Sequence, residues 1–396
     1  MQRKYYKLGI DLFLNRMAKN DKLKVLLISP SPPPVGGIQS WTINLINHFK
    51  HQDQIELCYE DTAVKYRGVL ELSIWNRIIA GIRVTKDVVR AMKQLIRIHN
   101  PDVIHLTSSA SLALLKDYII IREAKKFNVP VIVHWHFGRI PDLAIKKNWE
   151  WYLFSFLVQR ISYSIVIDNY SYKTLSDAGY KNVANIPNPV SEELFIIANN
   201  QKNRERQVEE GKVVFVGHVY VNKGIYELVE SCVTLPVVKQ LKIIGPIMNE
   251  VQPELEKIAS KRDDGSWLIM TGAKSSEEVF AEIRSAELLV LPSYTEGFPI
   301  VILEAMAMGC PVVATNVGAI SDMLNINSDL PAGICIPVKD IEALKVSIAK
   351  LLSDKILSTK YGQNGLTRVL ENFTSDKIFK EYQKVWQTVA INTKKI

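Results

Sequence analysis

Two carboxylates near one strand-to-helix junction are the strongest chemical signal in the sequence. Glu296 and Glu304 lie eight positions apart in the run SYTEGFPIVILEAMAMGCPVVATNVG, residues 293–318. Carboxylate oxygens accept hydrogen bonds, so each side chain can hold the hydroxyls of a sugar or a ribose. The spacing alone also fits an ordinary α/β helix with one glutamate near its start and another in its second turn.

A buried strand and the helix after it must position these carboxylates. The apolar residues 288–291 predict a strand buried on both faces of a parallel sheet. Pro299 fits a first helical position, and Gly309 followed by Pro311 predicts the end of the helix. At 1.5 Å per residue, Glu304 then lies about 7.5 Å along the helix axis from the helix start.

The helix start between the carboxylates is predicted to bind an anion. Near Gly297, the N–H groups of Phe298, Ile300 and Val301 have no acceptor within the helix, and the positive end of the helix dipole lies beside them. This combination suits a phosphate or diphosphate. A sugar, a diphosphate and a ribose would together satisfy Glu296, the helix start and the second carboxylate.

Residues 293–318 resemble the E-x7-E signature of the family 4 retaining glycosyltransferases. The resemblance implies an α/β protein with the GT-B fold, in which two Rossmann-like domains with parallel sheets face each other across a cleft. It also implies a nucleotide-sugar donor, with Glu296 at the sugar hydroxyls and Glu304 at the ribose.

A second run, residues 213–230, resembles the strand, basic loop and helix that open the second domain in this family. In the family a basic pair at this place binds the diphosphate. The chain has Lys223 before Gly224, but His218 stands where an arginine is usual. A neutral imidazole donates one hydrogen bond, whereas guanidinium offers a charged fork. The resemblance therefore assigns the diphosphate to Lys223 first and His218 second; a solvated surface lysine is the alternative.

Two loops of the first half complete the resemblance. Gly36 and Gly37 follow a predicted strand and precede a helix, where glycine permits close backbone approach to a donor phosphate or an acceptor. In the run PVIVHWHFG the family pattern points His136 at the reacting sugar, and His134 lies on the same side of the strand. We expect no metal here, because two histidines without a nearby carboxylate or thiolate make a poor site.

Alternating strands and helices predict the domain organisation. We expect an N-terminal acceptor-binding domain over 1–197, a polar linker over 198–211, and a nucleotide-sugar-binding domain over 212–372. The family resemblance implies that residues 373–396 form a helix that crosses back to the first domain. Residues 1–20 and 145–163 mix basic and aromatic residues, which predicts helices that lie on a membrane surface; ordinary helices that pack an apolar face inward are the alternative.

Composition limits the function classes. The chain has 396 residues, 47% hydrophobic residues and a net charge of +8, which fits a globular protein attracted to an anionic membrane. No recognition module indicates nucleic-acid binding. Four cysteines without CxxC spacing favour a reducing compartment. We expect a cytoplasmic protein, peripheral on the inner face of the membrane.

The sequence thus predicts a retaining, metal-independent glycosyltransferase without a cofactor. It would move a sugar from a nucleoside diphosphate, with UDP-sugars favoured and GDP-mannose next, to a hydroxyl of a glycan or lipid-linked acceptor in cell-surface polysaccharide synthesis. Two alternatives stay open: a nucleotide-sugar 2-epimerase, which needs no acceptor, and a non-catalytic sugar-binding protein, which releases no nucleotide.

Overall fold

The chain forms two compact units. The computed structural model describes residues 22–33, 36–50, 52–63, 74–201, 206–263 and 265–393. The first unit contains Met1–Pro189 and Ser375–Ile396, and the second contains Val190–Thr374. The chain therefore enters the second unit once and then returns to the first.

The first unit is built on a parallel sheet. Its strands are β1 (Leu23–Ser29), β2 (Ile55–Asp61), β3 (Val103–Ser108), β4 (Val131–Trp135), β5 (Tyr163–Val166) and β6 (Val183–Asn185). They pair in the order β2-β1-β3-β4-β5-β6, and every pairing is parallel. The described helices are α1 (Gly37–Phe49), α2 (Ile74–His99), α3 (Ala113–Lys125), α4 (Ile140–Lys146), α5 (Trp149–Val158) and α6 (Asn169–Asp177).

The second unit repeats this plan. Its strands are β7 (Lys212–Val216), β8 (Gln240–Ile244), β9 (Leu268–Gly272), β10 (Leu288–Leu291), β11 (Val312–Thr315) and β12 (Gly333–Ile336). Its helices are α7 (Glu192–Gln201), α8 (Ile225–Val233), α9 (Gln252–Ala259), α10 (Ser276–Ser285), α11 (Ile300–Ala307), α12 (Ile320–Met323), α13 (Ile341–Ser353) and α14 (Lys355–Asn372). The strand order β12-β11-β10-β7-β8-β9 is the Rossmann order, with a switch point between β7 and β10. The predicted α/β architecture with two parallel sheets is confirmed.

The last described helix, α15 (Ser375–Thr393), belongs to the first unit. Side-chain alternation along β1 divides the core of that unit into two layers. Leu26 and Ile28 pack on one face of the sheet, while Val25 and Leu27 pack on the other with buried residues of α1 and α15. The closing helix is thus an integral part of the first core.

The division between the units differs from the predicted linker at 198–211. The chain passes from one unit to the other at Pro189, and α7 packs against α11 and α14. Leu194 and Ala198 form the buried face of α7, whereas its exposed residues are mainly polar, with Ile196 as an exposed apolar residue among them. The rise in polarity that suggested a linker begins on the exposed face of this helix.

The prediction of one helix over 145–163 is wrong. Lys147 has a positive φ of 47° and ends α4, and the Asn148 side chain accepts a hydrogen bond from the Trp151 N–H at the start of α5. Tyr163 already begins β5. The predicted surface helix at 1–20 lies outside the described residues. None of the helices in the described ranges combines the length and apolarity that crossing a bilayer requires.

Candidate functional site

A lysine–glutamate ion pair lies at the carboxyl edge of the second sheet. Lys223 ends a single 3-10 turn after β7, and Glu296 lies on the loop after β10. The Lys223 Nζ donates a hydrogen bond to Glu296 Oε1 at 2.6 Å, and the two side chains are 17% and 12% exposed. Because β7 and β10 flank the switch point of the sheet, this pair stands where open α/β sheets bind ligands.

Backbone contacts hold the lysine loop against the glutamate loop. Gly224 has a φ of 65°, and a Cβ at this position would lie 2.1 Å from the Pro292 carbonyl oxygen. The Tyr294 N–H donates to the Asn222 carbonyl at 2.9 Å. Only glycine permits this approach, which gives the Lys223-Gly224 sequence a structural reason.

The loop after β11 packs against the same turn. Gly318 has a φ of 56°, and a Cβ there would lie 2.3 Å from the Glu296 carbonyl oxygen. The Ala319 N–H donates to the Gly297 carbonyl at 2.9 Å. The position of Glu296 is therefore fixed from both neighbouring loops.

The helix start predicted to bind an anion is present one residue later than expected. Pro299 is the N-cap of α11, with φ −69° and ψ 111°, rather than its first helical residue. Within the described ranges, the N–H groups of Phe298, Ile300 and Val301 have no protein acceptor. The Phe298 ring is buried against that of Phe373, with ring centroids 6.0 Å apart, which anchors the turn from below.

Glu304 is the fifth residue of α11 and is half-buried. Among the described residues its carboxyl has no hydrogen-bond or ion-pair partner. Burial raises the pKa of this carboxyl to about 7 from an ordinary value of 4.5. The protein thus leaves a carboxyl without a protein partner in the second turn of the helix, where it can accept hydroxyl donors once ionised.

His218 does not join the ion pair. It is exposed after Gly217, and the described part of the chain offers it no hydrogen-bond partner. Lys223 alone of the two predicted basic residues contacts Glu296.

A second set of polar side chains near this edge was not predicted. The Tyr294 hydroxyl donates a short hydrogen bond to the Glu227 carboxylate, and Lys339 Nζ lies 4.7 Å from the centre of the Tyr294 ring. Burial and Glu227 together raise the pKa of Tyr294 to about 12. The one available signal was Glu227 in the first turn of the helix after Lys223, and that position is too common to indicate a site.

Gly36 and Gly37 begin α1 at the carboxyl edge of the first sheet. Gly36 is the N-cap in an extended conformation, and a Cβ there would meet only the flexible end of Gln39, at 2.7 Å. A Cβ on Gly37 would have no other atom within 4 Å. Packing among the described residues therefore does not explain glycine at Gly37, unlike at Gly224.

His136 lies immediately after β4 in a cluster of neutral aromatic rings. Its ring centroid is 3.7 Å from that of His134 and 5.1 Å from that of Trp41. His134 is fully buried, whereas His136 is half-buried and is thus the one of the two that retains solvent exposure. Burial holds the pKa of His134 well below its ordinary value and lowers that of His136 to about 3.

The remaining rings of this cluster come from distant parts of the chain. The Tyr382 hydroxyl lies 3.3 Å from His134 Nε2, and Trp386 Nε1 donates to His105 Nδ1 at 2.9 Å. Burial also lowers the pKa of His105 to about 3. Sequence reasoning missed these partners because the two pairs are separated by 248 and 281 residues.

One group of three potential metal ligands occurs within the described ranges. Glu56, Cys58 and His99 place ligand atoms within 4.8 Å of one another. His99 Nδ1 lies 3.3 Å from Glu56 Oε1, and Lys24 Nζ lies 3.9 Å from Glu56 Oε2. Both contacts give the Glu56 carboxylate a partner within the protein.

Two family models match the chain in succession. "Glycosyltransferase Family 4" matches residues 35–194, and "Glycosyl transferases group 1" matches residues 197–368. The chain belongs to glycosyltransferase family 4. Together the two matches span both units, so the glycosyltransferase assignment extends over nearly the whole chain.

Relatives and solved structures agree with this assignment. The glycosyltransferase is 26% identical over 379 residues to an uncharacterised glycosyltransferase of Methanocaldococcus jannaschii, covering 93% of this chain and 99% of the relative. It is 24% identical to the putative teichuronic acid biosynthesis glycosyltransferase TuaC of Bacillus subtilis, covering 78% and 75%. The structure of Anabaena HepE in complex with UDP-glucose matches with a TM-score of 0.69 at 15% identity, covering 92% and 99%. The fold is GT-B.

Proposed function

We propose that this glycosyltransferase moves a sugar from a nucleoside diphosphate to an acceptor hydroxyl with retention of the anomeric configuration. The observation that carries the proposal is the Lys223–Glu296 pair beside the free N–H groups of α11, at the switch point of a sheet with Rossmann order. HepE binds UDP-glucose, which supports a UDP-sugar as donor ahead of GDP-mannose.

The chemistry of the transfer matches these groups. The bond between the anomeric carbon and the diphosphate oxygen breaks, a bond from that carbon to the acceptor oxygen forms, and the hydroxyl proton leaves with the diphosphate. Negative charge grows on the leaving diphosphate, where Lys223 and the N–H groups of α11 stabilise it without a metal ion. Glu296 then accepts hydrogen bonds from sugar hydroxyls, Glu304 from the ribose, and His136 faces a hydroxyl of the sugar or acceptor.

The ion pair also explains how the lysine is prepared for the donor. Without a partner, a lysine side chain would sample many rotamers; Glu296 holds its ammonium at 2.6 Å beside the helix start. A diphosphate that takes one of the three ammonium donors leaves another for Glu296. Positioning before binding lowers the entropic cost of forming the complex.

The decisive experiment is a screen of nucleotide sugars by thermal shift followed by turnover. We expect one donor to raise the melting temperature and, with an acceptor extract, to release nucleoside diphosphate and a glycosylated product in the presence of EDTA. Conversion of UDP-sugar without acceptor would instead indicate a 2-epimerase. Binding without nucleotide release under any condition would indicate a sugar-binding protein, and loss of activity in EDTA would contradict the metal-independent mechanism.

We also propose that the acceptor is a glycan or a lipid-linked glycan in cell-surface polysaccharide synthesis, reached from an anionic membrane surface. TuaC is a putative enzyme of teichuronic acid synthesis. On α5, Trp149, Tyr152 and Phe156 are 55%, 63% and 37% exposed and share one helix face. The Arg160 guanidinium lies 3.3 Å from the centre of the Phe156 ring, so a cation flanks these rings.

This membrane contact can be tested separately from catalysis. The wild-type protein should co-sediment with vesicles of phosphatidylglycerol and phosphatidylcholine. The fraction bound should be about tenfold lower for the variant W149A/Y152A. The matched control is a double variant that removes two exposed rings outside α5, Tyr172→Ala and Tyr220→Ala. Their side chains are 39% and 37% exposed. Equal sedimentation of the two double variants would contradict this use of α5.

A further inference from the structure

We propose that Tyr382 and Trp386 of α15 are positioning residues: Trp386 sets the tautomer of His105, Tyr382 holds the ring of His134, and His136 is oriented through that ring. This inference deepens the proposed function, because it rests on His136 facing a hydroxyl of the sugar or acceptor. It adds the C-terminal helix to the residues that control the reaction.

The tautomer of His105 follows from the chemistry of its partner. The indole Nε1–H of Trp386 can only donate, and it lies 2.9 Å from His105 Nδ1. His105 Nδ1 must therefore be the acceptor, so the single proton of the neutral ring is on Nε2. Among the described residues His105 Nε2 has no hydrogen-bond partner, and Trp386 is thus the one side chain that specifies this tautomer.

Tyr382 holds the His134 ring in place without selecting its tautomer, because a phenol hydroxyl can donate or accept. Its hydroxyl lies 3.3 Å from His134 Nε2, and His134 Nδ1 is buried without a protein partner in the described ranges. The ring of Tyr382 also lies 5.4 Å from that of His134 and 5.7 Å from that of His105. One residue of α15 therefore touches both buried histidines.

The rings transmit this arrangement to His136. The His134 ring is 3.7 Å from the His136 ring, and Trp41 contacts both edge-on with centroids 4.8 and 5.1 Å away. The backbone N–H of His136 also donates to the Ser108 carbonyl at 2.9 Å, which fixes the backbone at this residue. With the backbone held, the position of the imidazole depends on the two rings that pack against it, and one of them is held by Tyr382.

The number of unpartnered nitrogens makes the arrangement sensitive to small changes. His105 Nε2, His134 Nδ1 and His136 Nε2 are all buried without a protein partner in the described part of the chain. A buried polar atom without a partner is unfavourable, and a neutral imidazole can exchange donor for acceptor by changing tautomer. Trp386 removes this freedom at His105, and the Tyr382 hydroxyl holds the His134 ring that packs against His136.

The variants Tyr382→Phe and Trp386→Phe test the proposal, because each keeps an aromatic ring and removes one hydrogen bond. In ¹⁵N-edited NMR of histidine-labelled protein, we expect W386F to shift His105 from the Nε2–H form to a mixture and Y382F to move the His134 and His136 signals. With the donor identified in the screen, kcat should fall about tenfold in Y382F at an unchanged KM for the donor, the scale of one lost hydrogen bond.

Controls and outcomes separate this role from general stability. The control variant is Trp135→Phe, in which another buried indole of the first unit loses its hydrogen bond to Ser164 Oγ, 3.2 Å long in the wild type. This variant should leave the His105 tautomer unchanged. Unchanged histidine signals in Y382F would overturn the proposal. If W386F does not fold, the test is carried by Y382F alone. If the wild-type protein transfers no sugar, the proposed function fails while the NMR result still tests the tautomers.

Discussion

The two sheets differ in the charge of the polar side chains on and after their strands. The second presents charge, in the Lys223–Glu296 pair and the free N–H groups of α11. The first has the neutral ring of the half-buried His136 directly after β4, and the neutral rings of His105 and His134 are buried within the strands. One shared architecture therefore places charged groups after the strands of one sheet and neutral rings in the other.

Burial accounts for the difference. Lys223 and Glu296 lie in close contact at 2.6 Å and both side chains keep some contact with solvent. His105 and His134 are fully buried, and desolvation disfavours the charged form of an imidazole. The comparison predicts that acid should disturb the first unit and that loss of charge should disable the second.

The largest expected effect is loss of stability of the first unit in acid. The depressed histidine pKa values mean that the unfolded chain binds protons first as pH falls below 6.5, so stability is complete above that pH and declines below it. At about pH 4.5, each histidine with a folded pKa of about 3 lowers the free energy of unfolding by up to about 3 kcal/mol. Denaturant titrations followed by tryptophan emission measure this slope.

The variant His134→Gln sharpens the acid test, since it removes one titrating ring and keeps a polar side chain. Its stability should fall less steeply with acid than that of the wild type. The exposed His218→Gln variant is the matched control for the change of residue type. Identical slopes for the two variants would show that the buried cluster does not govern acid stability.

The second effect concerns the charge on the other sheet. Lys223→Ala should lower kcat/KM by a factor equivalent to about 2 to 4 kcal/mol, the scale of losing one preorganised donor to a growing negative charge. Steady-state kinetics with the identified donor measure it. Lys239→Ala, which breaks an exposed pair with Glu210 in the same unit, is the control. Near-normal turnover of the Lys223 variant would refute the role of the lysine.

The sequence predicted the second site better than the first, because the signals of the second are local. The apolar run 288–291 coincides with β10, and Glu296, the N-cap Pro299 and Glu304 follow it within one continuous segment. Such short-range patterns depend on strand burial and helix capping, which neighbouring residues reveal.

Long-range packing explains what the sequence could not predict. His136 was expected at a strand end, but its ring environment depends on Tyr382 and Trp386, which no pattern near residue 136 reveals. In the same way, the close approach of Gly318 to Glu296 depends on how two loops meet. Polarity near residue 198 was misleading because an exposed helix face and a linker have similar compositions.

A third prediction tests whether the unpartnered carboxyl of Glu304 is held for a ligand. Its raised pKa means that the unfolded chain loses this proton first, so stability falls as pH rises from 4.5 through 7. Glu304→Gln should therefore raise the free energy of unfolding at about pH 8 by up to about 3 kcal/mol and weaken donor binding. Chemical denaturation and calorimetric titration with the donor measure the two effects.

The matched control for Glu304 is Glu342→Gln, an exposed glutamate in the first turn of α13. It should change neither quantity. A Glu304 variant that is more stable yet binds the donor normally would remove the ribose assignment, and one that is not stabilised would contradict the burial of its charge.

The smallest effect is the coupling within the ion pair. Donor affinities of Lys223→Ala, Glu296→Gln and the double variant form a cycle whose interaction energy we expect at about 1 to 2 kcal/mol, because contacting charges are not additive. If Glu296 merely balanced the lysine charge, the double variant would bind the donor better than Lys223→Ala alone. If Glu296 also contacts sugar hydroxyls, the double variant binds more weakly than either single one. The cycle thus separates a structural ion pair from two residues that each hold part of the donor.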